Sequence, residues 1–170
     1  MKQLLLLRSC RHRAAAASSL ADYHRPLTPR GEIAAMQLGK IMRKNHYIPD
    51  LALCATPART RQTLAFIWPC LENAHGKTPK LVYDFKLHDM RGDGLLERLQ
   101  KLDAECDRVL LVSTAPGICD LARMLWKAQN GAPSPFIADL PPGGLAVLTC
   151  ETGKWAELAA GMCSLSELII

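Results

Sequence analysis

The sequence predicts an α/β chain folded as a three-layer α/β/α sandwich around a mostly parallel sheet, and three observations predict it. Short continuous apolar runs, Leu4 to Leu7, Leu51 to Cys54 and Val109 to Val112, have the length and texture of strands buried on both faces. Segments with helical spacing alternate with those runs, the strand-helix order of a sheet covered on both sides. The 170 residues carry no internal repeat and no long Pro/Gly/Ser linker, which fits one domain over 1–170.

In chain order, Lys2 to Leu7 reads as the first strand, ending at Arg8, and the basic, small-residue stretch Arg8 to Arg25 reads as a long loop. Thr28 and Pro29 open a helix as cap and first helical residue, with Ile33, Met36, Leu38, Ile41 and Met42 as its apolar stripe, running to about Asn45. Leu51 to Cys54 is the second strand. Thr56 and Pro57 repeat the cap-then-proline pattern before a helix carrying Leu64, Phe66 and Ile67, which Pro69 ends or kinks. Leu81 to Tyr83 is a third strand, Leu95 to Leu102 a helix, and Arg108 to Ser113 a fourth strand. Pro116 and Gly117 turn the chain into a helix ending near Asn130 and Gly131. Leu145 to Cys150 and Lys154 to Leu158 read as a hairpin-like pair across Glu151, Thr152 and Gly153. The apolar tail Leu165 to Ile170 either docks on the domain or marks a contact with another chain.

Composition narrows the function classes. No segment reaches the roughly 18 apolar residues of a membrane span. Leu4 to Leu7, followed at once by Arg8, Arg11 and Arg13, is too short for a signal-peptide core of about 7 to 15 residues, so a cytoplasmic address is expected. The seven cysteines are scattered with no C-x-x-C pair, so neither a zinc site nor a disulfide framework is expected, and they read as small buried hydrophobes. The net charge of +5 is mild and aromatics are 5%, which argues against nucleic acid. The basic residues cluster instead, with Arg8, Arg11, Arg13, Arg25 and Arg30 early and Arg59 and Arg61 together.

Ligands in such folds bind at the carboxyl ends of the strands. That assigns one site to Arg8–His12, Ala55–Arg61 and Ser113–Gly117. Arginine forks beside helix N-terminal amides make a phosphate site, which points to Arg8 and Arg59. A cysteine phosphatase would need a cysteine and an arginine at a helix N-terminus in a spacing that Cys54 with Arg59 or Arg61, and Cys119 with Arg123, miss.

Read in order, Leu4-Leu5-Leu6-Leu7-Arg8, Arg25-Pro26-Leu27-Thr28-Pro29-Arg30-Gly31, Pro57-Ala58-Arg59-Thr60-Arg61-Gln62-Thr63 and Val109 through Gly117 resemble the histidine phosphatase superfamily, in its short SixA-like phosphohistidine phosphatase branch. The resemblance spans residues 3 to about 158. It implies a phosphoglycerate mutase-like fold and a mechanism in which one histidine attacks phosphorus while two arginines and a second histidine hold the oxyanion. Arg8 and Arg59 match the two arginines. At the nucleophile's position this chain has Ser9, followed by Cys10, and at the second histidine's position it has Thr114. Ser9, Thr114 and Ser113 then become neutral hydroxyl donors to phosphate.

The expectation is a pseudophosphatase that binds phosphate or a phosphorylated small molecule or protein, with no cofactor and no metal. Two alternatives stand beside it: weak phosphohistidine or phosphomonoester hydrolysis with His12 as substitute, and a structural interaction module. Asp89, in His88-Asp89, is a weak candidate for a proton donor. Otherwise it is a surface aspartate in a polar turn.

Overall fold

The structure, a computed structural model, describes residues 1–14, 18–74, 76–126 and 139–170. One six-stranded sheet runs β3 (Lys80–Tyr83), β2 (Leu51–Cys54), β4 (Arg108–Ser113), β1 (Lys2–Arg8), β5 (Leu145–Cys150), β6 (Cys163–Ile169). The β3-β2-β4-β1 set is parallel, and β5 and β6 add antiparallel pairings at the far edge. Helices cover both faces, so the central strands are apolar on both sides. Leu4, Leu6, Val109 and Leu111 pack with Leu95 and Leu99 of α4 (Gly92–Gln100) and with Ile118 and Leu121 of α5 (Gly117–Leu125). Leu5, Leu7, Leu110 and Val112 pack with Ala35, Leu38 and Met42 of α2 (Pro29–Lys44) and with Leu64 and Ile67 of α3 (Ala58–Leu71). The predicted three layers are therefore present.

Helix α2 starts as the sequence predicts, with Thr28 accepting from the Gly31 amide at 3.1 Å and Pro29 in the first turn. Four readings differ. A five-residue helix, α1 (Ser19–Tyr23), with Ser18 as its cap, lies inside the stretch read as loop. Pro57, not Thr56, precedes α3, and Pro69 is contained in it, near its end. Residues 154–158 do not pair with β5. They contain a 3-10 turn, Trp155–Glu157, that buries Trp155 completely with its indole donating to the Cys106 carbonyl at 2.6 Å. The partner of β5 is the apolar tail, which docks as β6. A fifth concerns α5, read as running to about Asn130 and Gly131: it ends at Leu125, where Trp126 turns extended and bridges in parallel to Cys163. Residues 130 and 131, three of the alanines at 14–17 and His75 lie outside the described residues. No helix among the described residues is long and apolar enough to cross a membrane.

The cysteine reading is also corrected, because Cys150 and Cys163, paired across β5 and β6, form a disulfide. Antiparallel pairing brings two opposed residues within bonding reach, which sequence spacing alone does not reveal. Alkylation of the unfolded, unreduced chain is expected to label five cysteines, and seven after reduction, by mass. Closing a loop with a separation of 13 residues is worth about 3 kcal/mol in the loop-entropy account, so reduction should lower the melting temperature.

At the amino end of the sheet Asp50 ties three strands together. Its carboxylate accepts from the Asp107 and Arg108 amides, each at 2.8 Å, and pairs with Lys77. Burial alone would raise its pKa. The Lys77 bond and the Arg108 and Asp107 amides more than offset that and hold it below the usual carboxylate value. Asp50→Asn should cost about 1–2 kcal/mol, the lower part of the range for charged hydrogen bonds because the Lys77 pair is half in solvent. A carboxylate with a depressed folded pKa contributes fully above its unfolded value of 3.8 and loses that contribution as pH falls through the folded one. The gap between native and variant in denaturant melts should therefore close below pH 3.8.

Candidate functional site

Three parallel strands end side by side at one edge of the fold. Arg8 of β1 is opposite Ser113 of β4, and Cys54 of β2 is opposite Val112. The Ser9 amide continues the ladder to the Ser113 carbonyl at 3.0 Å, and the Ala55 amide to the Val112 carbonyl at 2.9 Å. Ser9 and Thr114 are consequently the first residues beyond two adjacent strand ends. Both are buried, 3% and 7% exposed, and among the described residues neither hydroxyl has a hydrogen-bond partner. Ser113 differs, since its hydroxyl donates to the Leu87 carbonyl at 3.2 Å and its only proton is spent there.

The helices that follow these strands leave some of their first amides without a partner among the described residues, those of Ala58 and Arg59 in α3 and of Gly117 in α5, while the Ile118 amide donates to the Thr114 carbonyl at 3.2 Å. α3 begins after Pro57 and α5 after Pro116, and neither has a side-chain cap, whereas α1 and α2 are capped by Ser18 and Thr28. Exposed N–H groups with the positive end of the helix dipole favour an anion. The first turn of α3 adds the Arg59 guanidinium and no acidic residue. Thr60 and Thr63 bond back to backbone carbonyls of that turn, and Thr63 also accepts from the Cys10 amide at 2.9 Å, which ties the loop after β1 to α3.

The two arginines reach in different directions. Arg8 donates to the Leu140 carbonyl at 2.7 Å and lies 3.7 Å from the Asp139 carboxylate. Arg59 is 5% exposed and is held, among the described residues, by Asp22 of α1, through its carbonyl at 2.8 Å and its carboxylate at 3.2 Å. Asp22 also pairs with Arg25. Its carboxylate thus occupies part of the guanidinium that an incoming anion would use. Sequence reasoning missed Asp22, and only the Ser18 cap signal hinted at the short helix that presents it.

His12 is half-buried rather than solvated. It bridges to Leu27, and burial pushes its pKa below 6.5, with Arg25 and Arg59 acting in the same direction while the Arg13 carbonyl and Asp22 oppose. Its Nδ1 lies 3.0 Å from the Arg13 carbonyl, an acceptor, so Nδ1 carries the proton and Nε2 keeps its lone pair. Asp89 stands apart, its side chain 91% exposed in the turn after Phe85–His88. Burial pushes the Cys54 thiol up to about 12 and the Cys10 thiol to about 11, so neither forms thiolate at neutral pH. No group of three or more metal-ligating side chains exists among the described residues.

No family model matches the chain. Over 156 residues it is 30% identical to an uncharacterised protein of Mycobacterium tuberculosis, covering 90% of this chain and 93% of that one. A solved structure assigned as the phosphohistidine phosphatase SixA of Nakamurella multipartitia superposes with a TM-score of 0.83 at 27% identity, covering 99% of this chain and 95% of the other. The chain is a SixA-like member of the histidine phosphatase superfamily. The protein histidine phosphatase SixA complexed with tungstate shares the fold at 20% identity and a TM-score of 0.75, covering 98% and 96%. In this SixA-like chain the six-stranded, mostly parallel sheet is the phosphoglycerate mutase-like arrangement of those neighbours.

Proposed function

We propose that this SixA-like protein binds phosphate or a phosphorylated group at the carboxyl ends of β1, β2 and β4 and is a pseudophosphatase, with Arg8 and Arg59 as the guanidinium ligands. One observation carries the reading: the residues just past β1 and β4, where the family resemblance locates its two histidines, are the buried hydroxyls of Ser9 and Thr114. A serine hydroxyl is almost wholly protonated at neutral pH and attacks phosphorus slowly without a base, whereas an imidazole nitrogen needs none. The open amides of α3 and α5 and the buried Arg59 support binding without supplying a nucleophile. Asp22 acts as an internal anion that an incoming phosphate must share or displace.

Titration with inorganic phosphate tests the binding. The native chain should bind, Arg59→Ala should weaken binding at least tenfold, since a charged bidentate contact is worth about 1.5–3 kcal/mol, and Asp22→Asn should tighten it. Unchanged affinity in both Arg8→Ala and Arg59→Ala would remove the assignment. A second reading, weak hydrolysis assisted by His12, draws on its half-buried, neutral ring within the electrostatic reach of Arg59. Under that reading residual turnover rises as pH climbs through the lowered His12 pKa, below 6.5, is flat near neutrality, and disappears in His12→Gln.

A further inference from the structure

A cavity of about 690 Å³ opens beside the candidate site, bounded by Tyr23 of α1, by Tyr83 at the end of β3, and by Thr56, Arg61 and Gln62 at the start of α3. Residues two apart on a helix do not share a face, so Arg61 and Arg59 serve different surfaces of α3. Arg59 is buried against Asp22, while Arg61 is exposed and its guanidinium makes no hydrogen bond or ion pair among the described residues. Among the described residues no acidic side chain lines the cavity.

The remaining wall groups are also donors without partners. The Tyr23 and Tyr83 hydroxyls make no hydrogen bond among the described residues, and the buried Thr56 hydroxyl has none either. Gln62 uses its carbonyl oxygen to accept from the Leu27 amide at 2.8 Å, leaving its amide N–H groups unspent. Two aromatic rings, a planar guanidinium and several free donors in a space of ligand size suit a flat anion better than a cation or an apolar group.

We infer that this cavity is a binding site for a ring-bearing oxyanion, an aromatic carboxylate or aryl phosphate, whose charged oxygens pair with Arg61 and whose ring lies between Tyr23 and Tyr83. It is separate from the phosphate assignment of Arg8 and Arg59. Tyr23 connects the two places, because it follows Asp22 in α1 and its ring packs edge-on against His88 at 5.8 Å.

Calorimetric titration of the full chain with benzoate, phenyl phosphate and inorganic phosphate tests this, with the Tyr23 and Tyr83 ring signals followed by NMR. At least one ring compound is expected to bind and to shift both tyrosines. Arg61→Ala should weaken that binding at least tenfold, Arg61→Lys should weaken it less, and inorganic phosphate affinity should be unaltered by either. The tighter of benzoate and phenyl phosphate identifies the oxyanion. Absence of binding by both ring compounds, or affinity unchanged within twofold in Arg61→Ala, overturns the inference. Cyclohexanecarboxylate binding as tightly as benzoate overturns it as well, since the flat ring would then contribute nothing. Arg61-dependent benzoate binding together with absent phosphate binding would sink the pseudophosphatase reading and leave this one standing.

Discussion

Ser9→His combined with Thr114→His is expected to raise turnover of an aryl phosphate or a phosphohistidine protein by about a thousandfold or more over the native chain. Removing a nucleophile that works as part of a unit removes most of the chemical acceleration, and the members of such a unit contribute far from additively. Each single substitution should therefore remain near the native rate, and only the pair should rise. The Cys10 and Cys54 thiols offer no replacement nucleophile, since burial holds them protonated. On the proposed assignment, electrostatic stabilisation by Arg8, Arg59 and the α3 amides is common to both proteins, so the gain isolates the nucleophile and its partner. The native rate is the companion measurement. Turnover equal to that of a histidine-bearing SixA would overturn the pseudophosphatase reading, whether or not the double variant folds.

Strands β1, β2 and β4 were legible because a short apolar run buried on both faces has an unmistakable texture, and each stops at a polar or small residue, Arg8, Ala55 and Thr114. Helix α2 was legible because Thr28 and Pro29 are local signals that act without tertiary help. What escaped is held by distant contacts. Helix α1 has no apolar stripe, and Asp22 binds it to Arg59 across 37 positions of sequence. The apolar residues at 154–158 suggested a strand, but Trp155 fills a space beneath α4 and its neighbours, while β6 wins the edge of β5 through the Cys150–Cys163 bond and the Tyr47 hydroxyl bonded to Glu167.

Pro69 shows the same priority of packing. Its cost of about 3 kcal/mol in a helix interior falls in the last turn of α3, where the buried Ile67 and Leu71 on either side anchor the helix against α2 and the sheet. At the site, the motif strings located Arg8, Arg59 and the two hydroxyl positions. They carried no information on the Ser113 bond to Leu87 or on the Asp22 carboxylate, because both partners come from segments without a motif of their own.

Gly31→Ala separates local propensity from tertiary approach with opposite signs. Inside a helix, alanine is better than glycine by about 1 kcal/mol, so propensity alone predicts a more stable protein. In α2, however, the Arg11 carbonyl leans into the first turn, accepting from the Thr28 amide at 3.0 Å and the Thr28 hydroxyl at 3.2 Å. A Cβ on Gly31 would lie closer than 3.0 Å to that oxygen, and the obstacle is backbone, not a flexible side-chain end. Relief requires moving the loop off α2, which should outweigh propensity and cost about 2–3 kcal/mol, the upper part of the overpacking range, or roughly 5–10 °C in melting temperature for a chain of this length. The loop that moves is the one that carries Ser9, so phosphate affinity should fall with stability. Cys10, bonded to Thr63, and His12, bridged to Leu27, would be dragged with it. Gly153→Ala, where a Cβ meets nothing within 4 Å, should leave both stability and phosphate affinity unchanged. A higher or unaltered melting temperature in Gly31→Ala would mean that Arg11 does not hold the loop against α2, and the candidate site would lose the contact that fixes its first wall.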